Sequence, residues 1–282
     1  MPGFLIFYAG AFVFFMADVL QKKTSAEKNT WTFVFHRSVF TCTIAFLASF
    51  ALKGFNDFPK PMLTLKIIGV SFICCLGFYF YIKAVNSTKF SNVGALSIVG
   101  NAFQLLIGFI IFKEPFHFYL IPVILLMSTG CLLQIALIKN SKGVFDVLLS
   151  SFFWTIGYSA LSRVLQNMTV IWSVPLMELS IVLMSGCFVF FEKEKWKSQF
   201  TSGSVVQLKM AVIGVLVFLG SYLNNLSFRQ LPVSVISILQ LSMMPIGYVL
   251  SLKIFKEKPT RIEWISLITG CAGFALYIWM RR

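Results

Sequence analysis

Long apolar runs alternate with short polar joins along almost the whole chain. A helix that crosses a bilayer needs about 20 mostly apolar residues. The pattern predicts such helices at Phe4–Gln21, Trp31–Leu52, Leu65–Val85, Val93–Phe112, Phe118–Ile138, Val144–Arg163, Trp172–Phe191, Val205–Phe228, Val233–Phe255 and Ile262–Met280. The joins carry turn and cap residues at Asn56–Pro61, Asn86–Thr88 and Asn140–Gly143. Trp31, Trp172, Trp196, Trp264 and Trp279 fall near predicted span ends, where indole rings prefer to lie. The runs are too continuous for the period-two alternation of a membrane barrel. The pattern therefore predicts an all-α polytopic membrane protein with ten transmembrane helices.

Composition agrees with this reading. Of 282 residues, 58% are hydrophobic and 12% charged, against about 25% charged in a soluble domain. That leaves too little polar surface to face water, so the lipid bilayer is the expected first partner. The setting expected is a bacterial inner membrane. Net charge is +14, but the Lys and Arg residues are scattered over short loops, where headgroups would meet them. Nucleic acid is therefore not an expected partner. Cys42, Cys74, Cys75, Cys131, Cys187 and Cys271 all lie in apolar runs and read as small buried hydrophobes. The first run lacks a basic leader and is followed by Lys22 and Lys23, so no cleavable signal peptide is expected.

A repeat organises the spans. Phe112-Lys113-Glu114 is matched by Phe255-Lys256-Glu257, and Thr129-Gly130-Cys131 by Thr269-Gly270-Cys271 in the span that follows. Trp31 opens the second span and Trp172 the seventh; six residues on stand Arg37 and Glu178. A five-span unit thus occurs twice, over residues 1–140 and 141–282. Five is odd, so the second copy would cross the membrane in the opposite sense. The expected architecture is two inverted five-helix repeats, a common build for transporters.

In the order and spacing of these motifs the chain resembles the drug/metabolite transporter superfamily, in particular its ten-helix EamA-type exporters. Lys113-Glu114 and Lys256-Glu257 stand where that family closes its fourth and ninth helices with a Leu-Gly-Glu-like tripeptide. Gly130, Gly270 and Gly273 match its fifth- and tenth-helix glycines, and Pro245 its ninth-helix proline. The resemblance covers nearly the whole chain. Lysine replaces the usual glycine before each Glu, and Glu178 stands where the resemblance leads one to expect a second arginine. The resemblance implies a secondary transporter, an exporter of small metabolites such as amino acids, working by alternating access around a central cavity. A lipid or lipid-linked carrier flippase is the alternative on the same fold. No cofactor is implied beyond possible proton coupling, and the state could be monomer or homodimer. The Lys and Arg distribution would put the termini outside the cytoplasm, whereas the resemblance would put them inside. An enzyme is not expected, because His36 and His117 belong to no catalytic motif.

Ionisable groups are costly inside a bilayer, and Asp18, Arg37 and Glu178 lie within apolar runs. Arg37 is about 9 Å below the interface marked by Trp31, at about 1.5 Å per residue. It could clamp a ligand carboxylate, act as a gate, or tie helices together. Glu178, at similar depth, could take a proton or a substrate amine, or pair with a neighbouring helix. His36 is a further gate or coupling candidate. Asp18 reads as an end-of-helix salt bridge to Lys22 or Lys23. Glu114 and Glu257 read as structural helix-end residues that hold short loops through exposed backbone N–H groups. The resemblance aims Tyr79, Tyr81, Asn86, Asn101, Gln104, Trp154, Tyr158, Tyr222, Asn224, Asn225 and Gln240 at a mid-membrane cavity. Asn and Gln could equally serve as interhelical hydrogen bonds.

Overall fold

The computed structural model describes residues 2–25, 29–90, 93, 96, 98–115, 118, 120–126, 129, 133, 143–191, 204–258 and 260–280. His117, Gly130, Cys131, Trp196, the 140/141 repeat boundary and most of the predicted fifth span lie outside the described residues. The elements are α1 (Pro2–Ser25), α2 (Thr30–Lys53), α3 (Pro61–Ser87), α4 (Ile98–Ile110), α5 (120–126), α6 (Val144–Leu165), α7 (Val170–Phe191), α8 (Ser204–Gln230), α9 (Val233–Phe255) and α10 (Arg261–Met280). Seven of these are long and apolar enough to cross a membrane: α1, α2, α3, α6, α7, α8 and α9. Their outer faces expose large apolar side chains such as Leu5, Leu47, Leu65, Phe145, Phe190 and Leu208, as lipid contact requires.

Capping chemistry sets several ends. Asn29 accepts a hydrogen bond from the Trp31 N–H at 2.9 Å and starts α2. Pro61 opens α3 at the first helical position, where its missing N–H costs nothing. α2 ends at Gly54, with φ 58°.

The helices pack in exchange-related pairs. α3 packs on α6, and α1 packs on α8; α2 meets α8 as α7 meets α3. α2 also packs directly on α7, and α4 on α9. Swapping each helix of the first set for the one five places on leaves these pairings unchanged. The same exchange governs detail. Gly77 of α3 lies under the Trp154 ring, which a Cβ there would meet at 2.6 Å; Gly220 of α8 lies under the Phe14 ring, at 3.0 Å. Both glycines let an aromatic ring rest on helix backbone. Such close approach matters because lipid offers no hydrophobic drive for helices to associate. Hydroxyls add polar ties: Ser150 donates to the Gly77 carbonyl at 2.8 Å, Thr155 to Gly100 at 2.9 Å, and Ser49 to Ile171 at 3.0 Å.

The contacts also sort the helix ends. Ser25 bonds Asn86, Lys83 pairs with Asp146 at 3.1 Å, and Lys22 with Glu257 at 3.9 Å. The ends of α1, α3 and α9 therefore share one end of the bundle with the start of α6. At the other end Gln166 bonds the Arg229 carbonyl, and Arg163 stacks on Phe112 at 4.2 Å.

Candidate functional site

Between the exchange-related helices lies a cavity of about 370 Å³. Its wall takes residues from α1–α4 and α6–α9. Rings dominate it, including Phe14, Phe15, Phe78, Tyr81, Phe90, Trp154, Tyr158 and Tyr248. The polar groups are few: Asp18, Gln21, Arg37, Asn101, Gln104, Glu178, Asn224, Gln240 and several serines. An apolar wall with a few fixed polar groups is the usual make-up of a small-molecule site.

Arg37 and Glu178 meet here. α2 and α7 pack against each other with the start of each near the end of its neighbour. Trp31 stacks on Phe188 at 4.3 Å, and Trp172 sits edge-on to Phe46 at 6.0 Å. Since Arg37 and Glu178 each follow their tryptophan by six residues, this packing brings them together, with Arg37 Nη1 2.5 Å from Glu178 Oε2. Arg37 also donates to Ser38 at 3.0 Å and lies over the Phe78 ring at 4.2 Å. Both side chains are buried. Each charge is therefore committed to the other, and a role for either toward a ligand requires that the pair open.

Of the residues expected in the cavity, Asn101, Gln104, Trp154, Tyr158, Glu178 and Gln240 line it, as does Arg37. Tyr79, Tyr222, Asn225 and His36 do not. Tyr79 stacks on Trp31 at 4.0 Å, and Tyr222 stacks beside Phe218. Asn225 bonds Ser173 at 2.8 Å and tethers α8 to α7. His36 is buried beside Phe35. The reason is helical phase. One residue turns a side chain by about 100°, so Asn224 faces the cavity and Asn225 the neighbouring helix; Tyr81, two places after Tyr79, takes the cavity position.

Asp18 is the larger correction. The expected salt bridge to Lys22 or Lys23 is absent: Lys22 reaches to Glu257 and to the Thr88 carbonyl at 3.2 Å instead. Asp18 lines the cavity together with Tyr81, and it accepts from Gln21 Nε2 at 3.0 Å. Tyr81 and Asn224, also expected to face the cavity, do line it, whereas Gln21 had no signal in the pattern beyond being polar within an apolar run.

Glu114 and Glu257 lie outside the cavity, at opposite ends of the bundle. Glu114 accepts from the N–H groups of Val233 and Ser234 at 2.8 and 2.9 Å. Glu257 accepts from the Phe90 N–H at 2.8 Å. Each follows the end of its own helix; Glu114 caps the start of α9, and Glu257 holds the Phe90 N–H ahead of α4. The exposed N–H groups they hold lie at joins distant from them in sequence. The residue before each, Lys113 and Lys256, has φ of 54° and 52°. That left-handed turn swings the carboxylate across, and it is the conformation glycine adopts most freely.

Comparison with known proteins adds two findings. A model of the EamA-like transporter family matches residues 1–136 and again residues 141–279. Among solved structures, one superposes with a TM-score of 0.75 at 13% identity, covering 99% of this chain and 97% of its own. No curated protein matches the sequence.

Proposed function

The chain belongs to the EamA-like transporter family, a family of membrane transporters, and on that premise we propose that it is a secondary transporter, an exporter of small metabolites, working by alternating access. The observation that carries this reading is the central cavity walled by both repeats. In this reading ten helices form two five-helix repeats of opposite sense. The supporting facts are the exchange-related pairings and the sharing of one bundle end by the finish of α1 and the start of α6. Two halves related in this way open a shared site to either side by equivalent motions. The ring-rich, sparsely polar wall suits amino-acid-sized solutes with an apolar body. A coupling proton would need an acid free to release it, and Glu178 is held by Arg37.

The test uses proteoliposomes loaded with an isotopically labelled metabolite extract, with empty-membrane controls. Mass spectrometry follows what leaves. Selective loss of a few solutes is expected. No loss, with or without a pH gradient, would overturn the reading. Movement of a fluorescent lipid between leaflets in the same vesicles would instead support the flippase alternative.

A further inference from the structure

The cavity wall carries three side chains that bear formal charge, and two of them cancel. Arg37 and Glu178 are paired at 2.5 Å. Asp18 remains, and among the described residues it makes no ion pair. Its hydrogen-bond partner, the Gln21 amide, is a neutral donor that orients the carboxylate without forming an ion pair. An acid in an apolar run is costly and marks a functional site by default.

A second, independent observation points to a ligand. Among the described residues, two buried amide atoms in the same wall have no partner: Gln21 Oε1, on a residue 2% exposed, and Gln104 Nε2, on one 4% exposed. Leaving such an atom unpaired costs about 1–3 kcal/mol. The Gln21 amide is oriented by its bond to Asp18, so its free atom is an acceptor. Asp18 and Gln21 therefore offer acceptors one helical turn apart on α1, which suits a donor with several N–H groups and a positive charge. The rings of Phe14, Phe15, Phe90 and Tyr248 belong to the same wall, and aromatic faces attract cations.

We infer that the cavity takes an organic cation: a protonated amine on an apolar or aromatic body, with its ammonium group on Asp18 and Gln21. Gln104 Nε2 supplies a donor for a hydroxyl or carbonyl elsewhere on the same molecule. This inference deepens the transporter reading and rests on it only for what the site is used for; binding is testable by itself.

The test uses the full chain in lipid nanodiscs and equilibrium binding of radiolabelled 2-phenylethylamine. Competition by 2-phenylethanol and by phenylacetate compares the same body with no charge and with a negative charge. The amine is expected to bind saturably, and both competitors to be weaker by about tenfold or more. Asp18→Asn should weaken the amine by about tenfold or more, with Asp18→Glu retaining most of the affinity. No amine binding, equal competition by the alcohol or the acid, or full affinity in a folded Asp18→Asn protein would each overturn the inference. Should Asp18→Asn fail to fold, the wild-type competition decides alone. Flux in proteoliposomes separates the two claims. Saturable amine binding without movement of the amine or any other solute keeps the cation site and removes the transporter reading. Movement of neutral or anionic solutes without amine binding does the reverse.

Discussion

At the residue scale, the pair of Arg37 and Glu178 sets the electrostatics of the cavity. Removing one partner of a buried pair strands the other charge and costs about 3–5 kcal/mol, whereas replacing both by apolar residues is often neutral. Arg37→Met and Glu178→Met should each lower the thermal midpoint in detergent sharply, and the double variant should recover most of the loss. A double variant as unstable as the singles would show that the pair does more than neutralise itself. Loss of transport in Glu178→Gln alone would therefore report the stranded arginine as readily as any coupling role. Both charges were legible in the sequence as in-membrane ions at equal distance from a tryptophan. Their meeting was not, because it depends on how α2 and α7 pack over a separation of 141 residues. Asp18 was misread for a similar reason: Lys22 pairs with Glu257 beyond α9's end, and only the assembled bundle shows that.

At the element scale, the two glutamates reach across the bundle: Glu114, after α4, holds the start of α9, and Glu257, after α9, holds Phe90 ahead of α4. A charge-assisted hydrogen bond contributes about 1.5–3 kcal/mol, and loss of a helix cap costs about 0.5–2 kcal/mol. Glu114→Ala should lower stability by about 1–3 kcal/mol and speed amide exchange at Val233 and Ser234, which mass-spectrometric hydrogen exchange would read. Unchanged exchange there would sink the capping account. The lysines in left-handed turns lead to a second expectation. Left-handed backbone costs a non-glycine residue about 1–2 kcal/mol, partly offset by the greater unfolded-state freedom of glycine. Lys113→Gly and Lys256→Gly should each stabilise by about 0.5–1 kcal/mol, measured as a rise in thermal midpoint. The sequence announced the repeated Phe-Lys-Glu and its placement after a helix. It held no sign of which N–H groups the carboxylates would find, since the recipients lie 119 and 167 residues away.

At the scale of the whole molecule, the two ends of the cavity carry different side chains. Toward the Arg163 end lies a dense apolar cluster that includes Leu161, Leu165, Met168, Trp172 and Phe228. Toward the Lys22 end the cavity wall already includes Gln21, Phe90 and Ser251, with Lys22 over the Phe90 and Phe255 rings at 5.6 and 5.2 Å. In a background with the native cysteines replaced, Ser251→Cys should react with a membrane-impermeant thiol reagent faster than Leu165→Cys. Adding Lys22→Met should speed it further. Faster reaction at Leu165→Cys would place the thinner barrier at the opposite end. The helical plan was readable from span length, because lipid imposes it on a chain, and the repeat from motif order. The side chains that close each end were not, because only packing brings them together. The crossed caps also bear on how the protein is made. As the chain leaves the ribosome, Glu114 enters the membrane more than a hundred residues before Val233 exists, and Phe90 waits longer still for Glu257. The first half must therefore persist in the bilayer as an unfinished piece, with a carboxylate and a helix start unsatisfied. Its completion is set by the synthesis of the ninth helix, and a chain cut between the halves should regain its fold only when both fragments are produced in the same cell.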